Sequence, residues 1–215
     1  MPVNCVYDKT SGTVSFSTTH FSKYALAYNK VSFDDVNDWA KDYITKLAAM
    51  NIISGKGNGK FAPLEKVTRA QFTKMLFGLS GLDNSALKNY KKSKFKDVAN
   101  TDWCEPYVMW AYKNNIVTGV GNGKFAPNDV ITREQMSAML YKFIKARSLN
   151  ITASSDTKDF ADGNLVSSWA KDAVAFILRA QIINGRTNGK FDPQGTATRE
   201  EAAKIIAMVV EKSAE

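Results

Sequence analysis

The chain has 215 residues, 44% of them hydrophobic and 23% charged, which is enough apolar material for a sizeable core in one or two domains. Its net charge of +8 favours an anionic partner, whether nucleic acid, an acidic glycan or a membrane surface. Two cysteines and one histidine supply neither metal-ligand spacing nor a disulfide framework, and no apolar run approaches the roughly 20 residues of a spanning helix. The first residues lack a basic, apolar, small-residue signal pattern, so a secreted form would be part of a longer protein.

Residues 1–30 read as the tail of a preceding β domain. Val3 to Tyr7, a turn at Lys9 to Gly12 and Thr13 to Thr18 have the β-branched and aromatic content of a hairpin, and Phe21 to Tyr28 could add a third strand. An isolated hairpin is marginal in water, which is why a neighbouring domain is expected.

From residue 31 onward the chain repeats itself. Each of three arginines follows a tryptophan by 30 residues: Trp39 to Arg69, Trp103 to Arg133, Trp169 to Arg199. That self-similarity predicts three copies of one supersecondary unit, over 31–93, 94–156 and 157–215. Units of about 60 residues are small alone, so they are expected to share one core.

Each copy opens with Phe-x-Asp, at Phe33, Phe95 and Phe160, and then predicts a helix. Asp38, Asp102 and Ser168 precede the tryptophans as expected N-caps. Apolar residues recur at helical spacing, as in Trp39, Tyr43, Ile44, Leu47 and Ala48, which assigns the tryptophans to the core rather than to stacking on a sugar or base. Cys104 stands where Ala40 and Ala170 stand and reads as a small buried residue. Gly55, Gly119 and Gly185 are expected to end these helices in left-handed backbone.

Next come Gly57-Asn58-Gly59-Lys60-Phe61-Ala62-Pro63 and its copies at 121–127 and 187–193, read as a turn and a short extended piece. A second helix then starts at Thr68, Thr132 or Thr198, with Gln71, Gln135 or Glu201 completing a capping box. Phe72, Met75, Leu76 and Leu79 mark its core face in the first copy. Between copies, residues 80–94 and 146–158 are polar connections, the first with a short helix at Ser85 to Tyr90.

Capping explains Thr and Gln or Glu, but it does not explain arginine. Arg69, Arg133 and Arg199 place a cation at the first helical position, which opposes the helix dipole by roughly 0.3–1 kcal/mol. Two readings account for it: an anion receptor of guanidinium plus helix N–H donors, or an internal ion pair with Asp35, Asp97 or Asp162. The glycine turn lacks the acidic ligands of a calcium loop and the Gly-Lys-Ser/Thr of a P-loop. No paired carboxylates or nucleophile with a base cluster, so the chain is read as neither an enzyme nor a cofactor or metal binder.

Phe-x-Asp-Val, Trp, Ile-Ile-x-Gly, Gly-Asn-Gly-Lys-Phe-x-Pro and Thr-Arg-x-[Gln/Glu], in that order, resemble the S-layer homology (SLH) module, here in three tandem copies. The resemblance implies a mainly α fold of three helix-loop-helix repeats in a pseudo-threefold bundle, with a short β segment ahead of it. It also implies extracellular anchoring of a surface protein to the bacterial cell wall, through pyruvylated N-acetylmannosamine-containing polysaccharide bound in grooves between repeats. Arg69, Arg133 and Arg199 would hold the pyruvate carboxylate. Ser54, Thr118, Asn184, Gly59, Gly123, Gly189, Lys60, Lys124 and Lys190 would line the pockets.

Nucleic acid and membrane insertion are not expected as partners, and the isolated fragment is expected to be monomeric. The alternative is a basic module for another anionic polymer, such as a teichoic-type polymer, peptidoglycan or nucleic acid. Gln71 and Gln135 replace the Glu of the family's Thr-Arg-Ala-Glu hallmark, and repeat three differs most from the other two, with Gly163, Ala173, Thr187, Asp192 and Glu201. Arg69 and Arg133 are therefore expected to matter more for binding than Arg199.

Overall fold

The structure, a computed structural model, describes residues 5–8, 10–11, 13–16, 29–36, 38–154, 160–186 and 188–213. Strands β1 (Cys5–Asp8) and β2 (Thr13–Phe16) pair antiparallel, Cys5 opposite Phe16, as the hairpin pattern predicts. The expected third strand lies outside the described residues, as does Thr187.

The first helices of the repeats are α1 (Lys41–Ala49), α3 (Glu105–Lys113) and α5 (Lys171–Arg179). They begin two residues beyond the tryptophans, and none of the three starts has a side-chain cap. Asp38–Ala40 and Ser168–Ala170 form 3₁₀ turns instead, and Asp102 uses its carboxylate to accept the Ala99 N–H at 2.8 Å. A turn of three residues per revolution is out of phase with the helix that follows. Trp39 and Trp169 lie in these turns, Trp103 lies in a non-helical turn ahead of α3, and all three point away from the core: they are 48%, 59% and 54% exposed, which corrects their assignment as core residues.

A second correction concerns the helix ends. The left-handed residues are Asn51 (φ 59°), Asn115 (φ 58°) and Gln181 (φ 55°), directly after the last turn. Gly55 is glycine for lack of space, because a Cβ there would lie 2.6 Å from Phe33 Cε1 and 2.7 Å from the Lys60 carbonyl oxygen. Gly119 combines the same crowding with a φ of 84°.

The second helices are α2 (Arg69–Leu79), α4 (Arg133–Ala146) and α6 (Arg199–Lys212). Each starts with the predicted capping box in full: Thr68 with Gln71, Thr132 with Gln135, Thr198 with Glu201. A short 3₁₀ helix, Asn84–Asn89, follows α2 close to where one is expected.

The two helices of one repeat do not pack on each other. Instead α2 packs on α3, α4 on α5, and α6 closes the ring on α1. At the centre the three segments before the second helices pair through single bridges, Lys66 with Thr198, Thr68 with Val130 and Thr132 with Thr196. Val67, Ile131 and Ala197 meet there with no exposure. The result is a mainly helical pseudo-threefold bundle with one continuous hydrophobic core. Among the described residues no helix is long and apolar enough to cross a membrane.

Candidate functional site

The ring closure decides what the three arginines do. All are buried, 5% exposed, and each guanidinium reaches from its own repeat into the next one. Arg69 Nε donates to the Phe125 carbonyl at 2.9 Å, Arg133 Nε to Phe191 at 2.7 Å, and Arg199 Nε to Phe61 at 2.9 Å. Each guanidinium also lies over the ring of the same phenylalanine, 4.4–5.1 Å from its centroid. Burial is the main cause that lowers all three arginine pKa values.

The same phenylalanines engage the repeat's aspartate. Asp35 accepts the N–H groups of Phe61 and Ala62, Asp97 those of Phe125 and Ala126, and Asp162 those of Phe191 and Asp192, all at 2.8 Å. Two consecutive donors converge on one carboxylate because Ala62, Ala126 and Asp192 are left-handed (φ 58–60°), where extended backbone is expected from the sequence. These bonds lower all three aspartate pKa values, against burial, which pushes the other way. The aspartates are therefore not the arginines' ion-pair partners.

Nor are the helix N-termini open to an anion. Arg69 N–H donates to Asp129 O, Arg133 N–H to Gly195 O and Arg199 N–H to Glu65 O, at 2.8–2.9 Å, and the N–H of the next residue goes to Pro127, Pro193 or Pro63. The third N–H of each helix goes to its capping threonine. Carbonyls of a neighbouring repeat thus offset the dipole penalty, and the expected receptor of guanidinium plus helix amides does not form.

The arginines instead edge two grooves, each assembled from three repeats. The first, of about 700 Å³, runs between the Ser54-Gly55-Lys56 loop and α2, with Gln71 and Lys74 on its wall. Repeat two supplies Trp103 and Tyr107 to it, and repeat three supplies Arg199. The second, of about 400 Å³, sits between Thr118-Gly119-Val120 and α4, with Gln135 and Lys142, and receives Trp169 from repeat three and Arg69 from repeat one. Arg69 donates only from Nε among the described residues, which leaves both Nη groups for the groove. The main-chain N–H groups of Ser54, Gly55, Thr118 and Gly119 likewise have no acceptor among the described residues.

Aromatic rings and lysines meet at the rims. Lys74 Nζ lies 6.0 Å from the Trp103 ring and 5.9 Å from that of Tyr107, and the two rings are 6.4 Å apart. Lys204 Nζ lies 5.6 Å from Trp39 at the matching place beside α6. Sequence reasoning missed Lys74 and Lys204, although both follow their arginine by five residues and interrupt an apolar helix face.

Of the sequence-predicted pocket residues, Ser54 and Thr118 line the two grooves; Ser54 presents its carbonyl to Arg199 Nη2 at 3.0 Å, as Asn184 does to Arg133 Nη2 at 2.8 Å. Gly59, Gly123, Lys60 and Lys124 do not line either groove. They form tight turns closed by Gly57 with Lys60 and Gly121 with Lys124, built on the left-handed pairs Asn58-Gly59 and Asn122-Gly123. Gly189 and Lys190 lie apart from the two grooves as well, and all three lysines are exposed. Cys104 is buried, as expected, and burial pushes its thiol up to about 11. No group of three or more His, Cys, Asp or Glu side chains suited to a metal ion occurs among the described residues.

The model of the S-layer homology domain matches the chain three times, over residues 32–73, 94–137 and 159–203. An amylopullulanase of Thermoanaerobacterium thermosulfurigenes is 37% identical over 96% of the chain, and an endoglucanase of Bacillus sp. (strain KSM-635) is 37% identical over 86%. The surface-layer 125 kDa protein of Lysinibacillus sphaericus is 26% identical over 94%. The chain spans only 11%, 19% and 16% of the lengths of these three proteins. Glycosidases and a surface-layer protein share this one region and little else by name, and the region coincides with the arginine-closed ring: the chain belongs to the S-layer homology family.

Proposed function

We propose that this module anchors its parent protein noncovalently to the bacterial cell wall by binding pyruvylated N-acetylmannosamine-containing polysaccharide in the first two grooves. The observation that carries the reading is the convergence of unlike donors from three repeats. Each groove offers a buried arginine edge and unpaired main-chain N–H groups, suited to a carboxylate. Each also offers an exposed tryptophan, whose flat apolar face suits a sugar ring. The module has no catalytic part in this reading, and the chemistry of the parent protein resides in other domains. Lys74 and Lys142 favour an acidic polymer over a neutral one.

In this reading the cross-repeat geometry favours a different pair of arginines. Arg199 edges the first groove and Arg69 the second, so these two replace the sequence-based ranking of Arg69 and Arg133. The test is sedimentation of the chain with purified cell-wall sacculi, before and after chemical removal of the secondary polysaccharide and after selective removal of its pyruvate. Binding lost at both treatments supports the reading. Binding that survives depyruvylation overturns the carboxylate, and binding that survives polysaccharide removal points to peptidoglycan.

A further inference from the structure

In the place beside α6 that corresponds to the first two grooves, the protein's own Arg186 side chain is tied down by ionic and polar contacts. Arg186 stands where repeat one has Lys56 and repeat two has Val120. Its Nη1 donates to Glu201 Oε1 at 2.6 Å, its Nη2 to the Thr196 carbonyl at 3.2 Å, and its Nε lies 3.4 Å from Asp192 Oδ2. Lys56 takes a different course, pairing with Glu65. Val120 has no charge to place.

Glu201 is the reason the guanidinium turns inward. It occupies the capping position that Gln71 and Gln135 occupy in repeats one and two, and both of those glutamines line their grooves. A glutamine completes the capping box and stays neutral toward the groove. Glu201 completes the same box through Oε2, which accepts the Thr198 N–H at 2.8 Å, and turns a charged Oε1 to Arg186. An incoming carboxylate would meet Glu201 and Asp192, and beyond the rim lysine Lys204 it would have to break a charge-assisted, part-buried pair to reach the Arg186 guanidinium. Arg133, the collar arginine on this side, is bonded to the Asn184 and Phe191 carbonyls just as Arg199 in the first groove is to those of Ser54 and Phe61, so it is the Arg186–Glu201 pair and not the collar that sets the third groove apart.

We infer that Arg186 and Glu201 form an internal lock that keeps the third groove from taking a saccharide carboxylate, leaving the three-repeat module divalent. The inference rests on the carboxylate reading of the first two grooves. Two sites on one rigid body still provide avidity toward a repeating polymer, because the second contact is made at a high effective concentration. The third repeat serves to close the ring, supplying Arg199 to the first groove and Trp169 to the second.

The test is calorimetric titration of the whole chain with the methyl glycoside of 4,6-pyruvylated N-acetylmannosamine, counting sites per molecule. The wild type is expected to take two, and the double variant Arg186→Val, Glu201→Gln, which gives repeat three the residues of repeat two, is expected to take three. Three sites in the wild type, or two in the variant, overturns the lock. A ligand-free double-mutant cycle of the same substitutions in urea unfolding provides a second readout. Non-additive losses support the lock, and additive ones overturn it whether or not the saccharide binds. Absence of binding to both proteins overturns the carboxylate reading and the divalent count together, while the cycle still decides whether the two side chains are coupled.

Discussion

The buried arginine collar and the exposed groove rims differ in how much they tolerate variation. In the collar the three repeats make the same contacts: an arginine Nε on a phenylalanine carbonyl, a guanidinium over that ring, an aspartate on two N–H groups. At the rims they diverge, with Lys56 paired to Glu65, Val120 uncharged, and Arg186 folded onto Glu201. A collar group has no water to fall back on, so each repeat must present the same partner to its neighbour. Rim groups stay solvated, and substitutions there change what the grooves recognise at little cost to folding.

Breaking the collar is expected to have the largest effect. Phe125→Ala removes a side chain with no exposure that supports Arg69 through both its ring and its neighbourhood, and should cost about 3–5 kcal/mol in urea unfolding. A loss below about 1 kcal/mol would mean the collar is merely a groove wall. Asp162→Asn is next. It weakens two bonds to main-chain N–H groups in a buried setting and should cost about 2 kcal/mol at neutral pH.

Asp162 also sets a pH dependence. Its folded pKa is lowered, as are those of Asp35 and Asp97, so their contribution is fully present above the unfolded value of about 4 and is lost as pH falls below it. The gap between wild type and Asp162→Asn should therefore narrow at acid pH; a constant gap would show that ionisation is not what matters. The smallest effect is expected at the rim. Lys56→Ala breaks an exposed pair with Glu65 and should change stability by less than about 1 kcal/mol, and by less still at high salt.

The difference between collar and rim also explains what was legible in the sequence. Threonine caps, glycine turns and apolar stripes act within a few residues, so the capping boxes, the Asn58-Gly59 and Asn122-Gly123 turns and the second helices follow directly from their spacing. The tryptophans escape the helical pattern because each sits in a short turn ahead of its helix, a 3₁₀ turn before α1 and α5 and a non-helical one before α3, and such a turn changes the phase without leaving a strong local signal. Arg69 has no explanation within its own repeat because its partners, Phe125 and the Asp129 carbonyl, belong to the next one. Reading one copy at a time shows a cation at the wrong end of a helix. Reading three copies as a closed ring shows an arginine whose helix end is capped by a neighbour's carbonyls.

Because α1 does not pack on α2, a repeat is complete only inside a closed ring. Each repeat contributes half of two interfaces, so a closed set of three has three complete interfaces, and an open pair has one complete interface and two bare faces. A repeated chain can lose or gain a unit, and the repeats share segments as alike as Gly57–Pro63 and Gly121–Pro127. The product of such an event is not a shorter or longer anchor but a ring that cannot close, so the copy number is proofread by folding itself.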